Sequence, residues 1–357
     1  MNTLSENFKY PQVLRANLAL EQSFGEGWKF TFDGLFSKTL NNVFFRNLAI
    51  ESKNVVYPVS ADATAANPSA KAPFYNALTK DYSAIVALEN TNRGYTYSLS
   101  AQIEKHFDFG LDLMASYTYG QSYSVNDGTS SVAYSNWKYN YSVDTNTDEL
   151  SYSAFARPHK VMAVVSYTTP KYLNGLQTTI ALSYEGQSGG RHSYTMNETA
   201  DFNGDGQKGN SVLYVPTTAE VGMMSWKKPA DAAKFEQYIR NDRYLSSRRG
   251  QWTERNGGIS KFENHFDLHI AQDFYYDKQN GRKLQFIVDF MNISNLFNRN
   301  WGLYYGSAYN LQILQVTGLS KDEAGNMTPT YAYSPQYLKL SEFYSRWRCQ
   351  LGFRLTF

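Results

Sequence analysis

The chain has 357 residues, with 34 Lys and Arg against 32 Asp and Glu. Its net charge of +2 argues for no nucleic-acid partner, since no basic stripe is interleaved with stacking aromatics. Mean hydropathy is −0.51, and without a run of about 18 apolar residues a polytopic helical membrane protein is excluded. One cysteine, Cys349, excludes an internal disulfide framework and a multi-cysteine zinc site. The 29 Tyr, 22 Phe and 6 Trp suit strands and water–lipid interfaces.

The opening MNTLSENFKYPQV has neither the basic start nor the apolar core of a signal peptide, so an export signal is expected upstream. Next, Leu14, Ala16, Leu18 and Leu20 alternate with Arg15, Asn17 and Glu21, the period of a half-buried strand. After FGEG, Trp28, Phe30, Phe32 and Phe36 repeat the pattern, followed by GYTYSLSAQIEKH and LDLMASYTYG around FDFG. KVMAVVSYTT and LQTTIALSYEG are joined by PKYLNG, and HFDLHIAQDFYY and KLQFIVDFMN by DKQNGR, whose Asn-Gly suits a turn with positive φ. The terminal SRWRCQLGFRLTF alternates from Trp347 to Phe357. The expected count is about nine strands.

Short turns alternate with long segments at 37–93, 121–159, 187–264 and 293–344, each about 40–80 residues and far beyond the usual loop. That asymmetry, with strands of ~9–11 residues, predicts an all-β fold: an antiparallel transmembrane β-barrel with long extracellular loops and short periplasmic turns. The turns at Gly25, Phe107, Asn174 and Asn280 are expected in the periplasm. A soluble all-β domain with its apolar faces inward is the alternative. Closed single-chain barrels have an even strand count, so residues 1–357 are expected to be one domain, a partial C-terminal barrel whose N-terminal strands lie elsewhere. YSAIVALEN and SVLYVP are weak candidates for further strands.

Several stretches resemble the C-terminal half of the barrel of TonB-dependent outer-membrane receptors, nearest the Oar-like group of Bacteroidota-type bacteria. They are NVFFRNLAI (42–50), ARPHKVMAVVSY (156–167), YEGQSGG (184–190), DFNGDGQKGNSVLYVP (201–216), YLSSRRGQWTERNGG (244–258), DLHIAQDF (267–274) and FMNISNLFNRNWG (290–302). The last resembles the Asn-Leu-Phe signature widespread in these receptors. The resemblance implies a barrel of about 22 strands around an N-terminal plug, which the TonB energy-coupling complex moves to pass a scarce solute. Neither plug, TonB box nor carboxypeptidase-regulatory-like domain is read in these residues, so coupling is expected through a plug outside them. The expected function is energised passage of a large solute, without enzymatic activity. A barrel for protein secretion or surface anchoring and a soluble carbohydrate-binding protein are the alternatives. Expected partners are outer-membrane lipid, the barrel assembly machinery and an extracellular solute.

DFNGDGQKGN places Asp201, Asn203 and Asp205 before Gly206, as in a calcium loop. Val212 stands where the bidentate Glu belongs, and an Asx-rich turn needs no metal; structural Ca2+ is the one cofactor considered. GQSGG matches a nucleophile elbow around Ser188, but no apolar helical period follows. His265, Asp267 and His269 share a strand face, the histidines ~13 Å apart. Arg240, Arg243, Arg248, Arg249 and Arg255 cluster after or at the end of a predicted short helix, ADAAKFEQYIR, as an anion clamp or as solvated charge. The tyrosines of YTYGQSY and WGLYYG fit ligand stacking or an aromatic girdle. Phe353, Leu355 and Phe357 are the expected assembly signal, with Arg346, Arg348 and Arg354 toward the lumen.

Overall fold

The computed structural model describes residues 1–357 apart from Asn174, Lys278, Ser307 and Ala308. Nine strands form a wall in chain order. They are β1 (Gln12–Phe24), β2 (Trp28–Asn47), β3 (Tyr95–Phe107), β4 (Leu111–Ser124), β5 (His159–Thr168), β6 (Leu176–Gln187), β7 (Glu263–Asp277), β8 (Arg282–Met291) and β9 (Arg348–Thr356). Each pairs antiparallel with the next. Among the described residues no ladder joins β1 to β9, so both edges present unpaired backbone.

The sequence dictates the wall through its period. Side chains alternate across a strand, and the register keeps the two sets in phase: Val165 stands opposite Leu182, which stands opposite Leu268. Tight turns then reverse the chain. Gly110 has φ +95°, and a Cβ there would lie 2.2 Å from the Thr168 carbonyl oxygen, so only glycine fits. In the turn after β7, the Asn280 amide nitrogen and side chain donate to the Asp277 carboxylate at 3.2 and 2.8 Å. Asn174 lies outside the described residues, as does Lys278 within DKQNGR.

At the other end the long connections fold together rather than running as loops. The outer part of β2 continues above the wall, where Asn42–Asn47 pairs with Val86–Thr91. YSAIVALEN therefore extends β2 and adds no wall strand; SVLYVP supplies only Tyr214–Val215, paired with Gln251–Trp252. A mixed sheet runs from Gly258–Ile259 through Arg191–Glu198, Asn310–Lys321, Met327–Tyr333 and Ile50–Val56 to Ala72–Ala77, drawing on three of the four connections. The predicted helix is present as Ala230–Asn241. Its Phe235 and Ile239, four apart, are fully buried on one face.

The hydrophobic core sits in this cap. Val56, Met196, Phe202, Phe235, Ile313 and Tyr331 meet there from separate connections, each large side chain contributing roughly 1.5–3 kcal/mol by burial. Trp137, from the second connection, packs with Ile50, Tyr75 and Val86 of the first, and its Nε1–H donates to Asn146 Oδ1 at 3.2 Å.

Candidate functional site

The two faces of the wall differ in chemistry. On one phase Leu99, Ile103, Val165 and Leu182 are 48, 46, 48 and 41 % exposed. Rows of exposed aliphatic side chains over several strands form an apolar patch that water does not favour. On the other phase polar side chains satisfy one another: Ser100 and Thr118 hydroxyls at 2.9 Å, Thr168 and Thr179 at 3.0 Å, and Gln285 Nε2 donating to Asp273 Oδ1 at 2.7 Å. A water-soluble sandwich has the opposite arrangement, with its leucines inside.

Aromatic rings band the apolar face near both strand ends. At the cap end Tyr97 lies 6.0 Å from Tyr119, Tyr119 lies 5.2 Å from His159, and Tyr184 lies 4.8 Å from Phe266. At the turn end Phe107 lies 5.4 Å from Phe109, which lies 6.5 Å from Tyr167. On β4, Leu111 and Tyr119 are eight residues apart, ~26 Å along the strand and ~20 Å along the normal at a ~40° tilt. That matches the apolar band of a membrane barrel, with girdles at its two rims.

Between the cap connections lies a cavity of about 360 Å³ lined by Asn126, Asn136, Asn140, Tyr139, Tyr141 and Arg255 among others. Arg255 is buried and donates to the Ser124 and Val125 carbonyls and to Asn140 Oδ1, tying the third connection to the end of β4. Sequence reasoning grouped Arg255 with the other arginines; the structure separates them. Both guanidinium Nη atoms of Arg249 meet Glu236 at 2.8 Å. Arg248 donates to the Trp252 carbonyl at 2.8 Å, and Arg240 lies 3.8 Å from Glu236. They bind the cap to itself, while Arg243 and Arg255 make no ion pair among the described residues. The tyrosine cavity had no local signal, because its lining comes from segments far apart in the chain.

Asp201, Asn203 and Asp205 do come together. The Asp201 carboxylate accepts from the Gly204 and Gly206 amides at 2.9 and 2.8 Å. Asp205 accepts from Gln207 N at 2.7 Å and from Asn210 Nδ2 at 2.8 Å, and Asn203 Oδ1 accepts from Asp205 N at 3.2 Å. Among the described residues no three His, Cys, Asp or Glu side chains are arranged to hold a metal. Burial pushes Asp201 up to about 6 and neighbouring Glu198 up to about 7, because each charged form loses water.

Ser188 sits in no elbow. Its Oγ accepts from His159 N at 3.1 Å, and a strand, Arg191–Glu198, follows. His265, Asp267 and His269 share the polar phase as expected, but His269 Nδ1 pairs with Asp289 at 2.6 Å. Asp267 Oδ1 accepts from Asn292 N at 2.7 Å. Asn292 has a left-handed φ of +53°, and its Nδ2 donates to the Gly302 and Ser345 carbonyls at 2.9 Å each. A Cβ on Gly302 would lie 1.8 Å from Asn292 Oδ1. The Asn-Leu-Phe segment is thus a fixed exit from β8, bonded to the approach to β9.

In β9, Phe353 and Leu355 stand on the apolar phase opposite Phe286 and Leu284, and the Phe286 and Phe353 rings are 5.1 Å apart. Phe357 lies past the ladder and is 92 % exposed. Arg348 and Arg354 take polar-phase positions. Arg346 departs from the expectation: it precedes the strand and pairs with Glu342 at 2.6 Å. Trp347 also precedes the strand.

Comparison with known proteins agrees with this geometry. No curated protein matches the chain. A family model described as an outer membrane beta barrel domain matches residues 1–302, from β1 through β8 and the Asn-Leu-Phe exit. With its apolar girdled face and its polar inner face, the chain belongs to the outer membrane beta barrel domain family and is a protein of the outer membrane.

Proposed function

We propose that residues 1–357 are the C-terminal wall and extracellular cap of a TonB-dependent transporter that passes a large solute. The observation that carries this reading is the cap: three connections share one buried core, the second packs Trp137 against the first, and the wall beneath has a polar inner phase. A barrel that only anchors itself gains nothing from such a body, whereas a receptor needs a shaped outer surface continuous with a wettable passage. Nine strands with two unpaired edges need further strands to close, and a wider barrel leaves room for a plug. The plug would receive the TonB complex; the wall and cap supply passage and recognition without covalent chemistry. The test is uptake of labelled oligosaccharides and peptides by cells carrying the whole polypeptide, with and without TonB. Uptake that stops when TonB is removed is expected. Uptake unchanged without TonB would overturn the energised mechanism, and loss of an exported polypeptide on deleting the protein would point to secretion.

A further inference from the structure

A cavity of about 730 Å³ lies outside the polar passage. Tyr184 and Phe266 line it and face each other across β6 and β7, in phase with Leu182 and Leu268. It therefore opens on the apolar face, at the cap end of the wall. Phe262, Trp301 and Tyr305 complete an aromatic bowl. The Lys261 ammonium sits 4.1 Å above the Tyr305 ring, and Arg299 is exposed beside Asn300 of the lining. No lining residue is a carboxylate. The carboxylates next to lining residues in sequence, Glu185, Glu263 and Asp267, take the other phase and are engaged there: Glu185 with Lys160 at 3.1 Å, Glu263 with Arg157 at 3.1 Å and Gln187 at 2.9 Å, and Asp267 with Asn292 N at 2.7 Å.

Position and charge together name the occupant. A bowl on the membrane-facing side at the outer rim meets the outer leaflet, so an amphiphile fills it. Its apolar floor takes acyl chain, its aromatic rim takes the ring faces of sugars, and its unopposed cations take an anion. Neither the Lys261 ammonium nor the Trp301 indole N–H has a protein acceptor among the described residues. We propose that this cavity is a specific site for the phosphorylated glycolipid of the outer leaflet, with Lys261 bound to a phosphate and Trp301 against the adjoining sugar. Such a site fixes the lipid beside the cap at β6 and β7. It rests on the membrane-facing phase of the wall and on the cap end lying at the outer leaflet, and failure of the transport reading would leave it untouched.

The test uses the protein extracted from outer membranes in mild detergent and titrated, under native mass spectrometry, with three probes: lipid A, phosphatase-treated lipid A, and inorganic phosphate alone. Lipid A should be retained, the dephosphorylated lipid about tenfold more weakly, on the scale of one charge-assisted hydrogen bond, and phosphate alone not at all. Lys261→Ala should lower lipid A affinity about tenfold and abolish the preference for the phosphorylated form, with Lys261→Arg restoring it. Trp301→Ala should weaken both lipids alike. Heat-modifiable migration of each variant reports folding; Lys261 is on the surface, so its pair of variants keeps the test open if Trp301→Ala fails to fold. Equal retention of both lipids, retention of phosphate alone, or wild-type affinity in Lys261→Ala would overturn the proposal.

Discussion

An arginine in place of Leu182 should destabilise the folded protein by ~2–4 kcal/mol, the range for a cation near the bilayer midplane. Leu182 lies six residues beyond Leu176, where β6 begins at the turn end. That is ~20 Å along the strand, or ~15 Å along the normal at a ~40° tilt, within a few ångströms of the middle of a ~25 Å band. Its register partners Val165 and Leu268 offer no counter-charge. Ser183→Arg, one residue on but in the polar phase near Asp267, should stay within about 0.5 kcal/mol. Tyr184→Arg, at the girdle, should lie near ~0–1 kcal/mol. Guanidinium unfolding of protein reconstituted in lipid vesicles, followed by tryptophan fluorescence, gives all three values. A larger loss for Ser183→Arg than for Leu182→Arg would reverse the two faces and refute the membrane assignment of the wall.

Protease added to intact cells should cut first at the exposed hairpin tip after Lys321, sparing the turn between Asp277 and Arg282; cleavage in that turn in sealed cells would invert the topology. Glu198 and Asp201, raised to about 7 and about 6, bind protons more tightly folded than unfolded. Their contribution to cap stability is complete below the ordinary carboxylate range and is lost as pH rises through about 6 to 7. Thermal midpoints should fall across that window, and Glu198→Gln with Asp201→Asn should flatten the slope. Calcium bound at Asp201 and Asp205 would instead hold both carboxylates ionised and raise the midpoint at neutral pH; the hydrogen-bonded loop predicts no change on adding it. Deleting Phe357 should impair outer-membrane insertion more than trimming several residues from 187–264, because an amphipathic strand with a free edge suits capture by strand addition in the assembly machinery. Comparable yields of heat-modifiable barrel for the two deletions would leave Phe353, Leu355 and Phe357 as ordinary wall.

All nine wall strands were legible because each has a different solvent on either side, which forces a strict period of two. Their limits were less so. β2 runs to Asn47, beyond its alternating stretch, since Val86–Thr91 pairs with its outer part. The cap was illegible for the opposite reason. Arg191–Glu198, RHSYTMNE, is polar in sequence yet almost wholly buried, because it pairs in parallel with Asn310–Lys321, over 100 residues away. Ser193 and Thr195 find their partners in Asn256 and Asn310. No local pattern encodes such a partnership. The same holds for Arg249 and Arg255: the sequence displays the charge, while Glu236 and the end of β4 decide its use. The Asp201 turn was readable in part, since its Asx and glycine spacing fixes the local hydrogen bonds whether or not a metal is bound.

Spin labels along the wall test the central claim most directly. Labels at Leu99, Ile103, Val165, Leu182 and Phe286 should be accessible to oxygen, which partitions into lipid. Labels at Ser100, Thr179 and Gln285, their neighbours on the polar phase, should instead meet water-borne relaxants. Water-like signals at the first five positions would contradict a wall that faces the membrane.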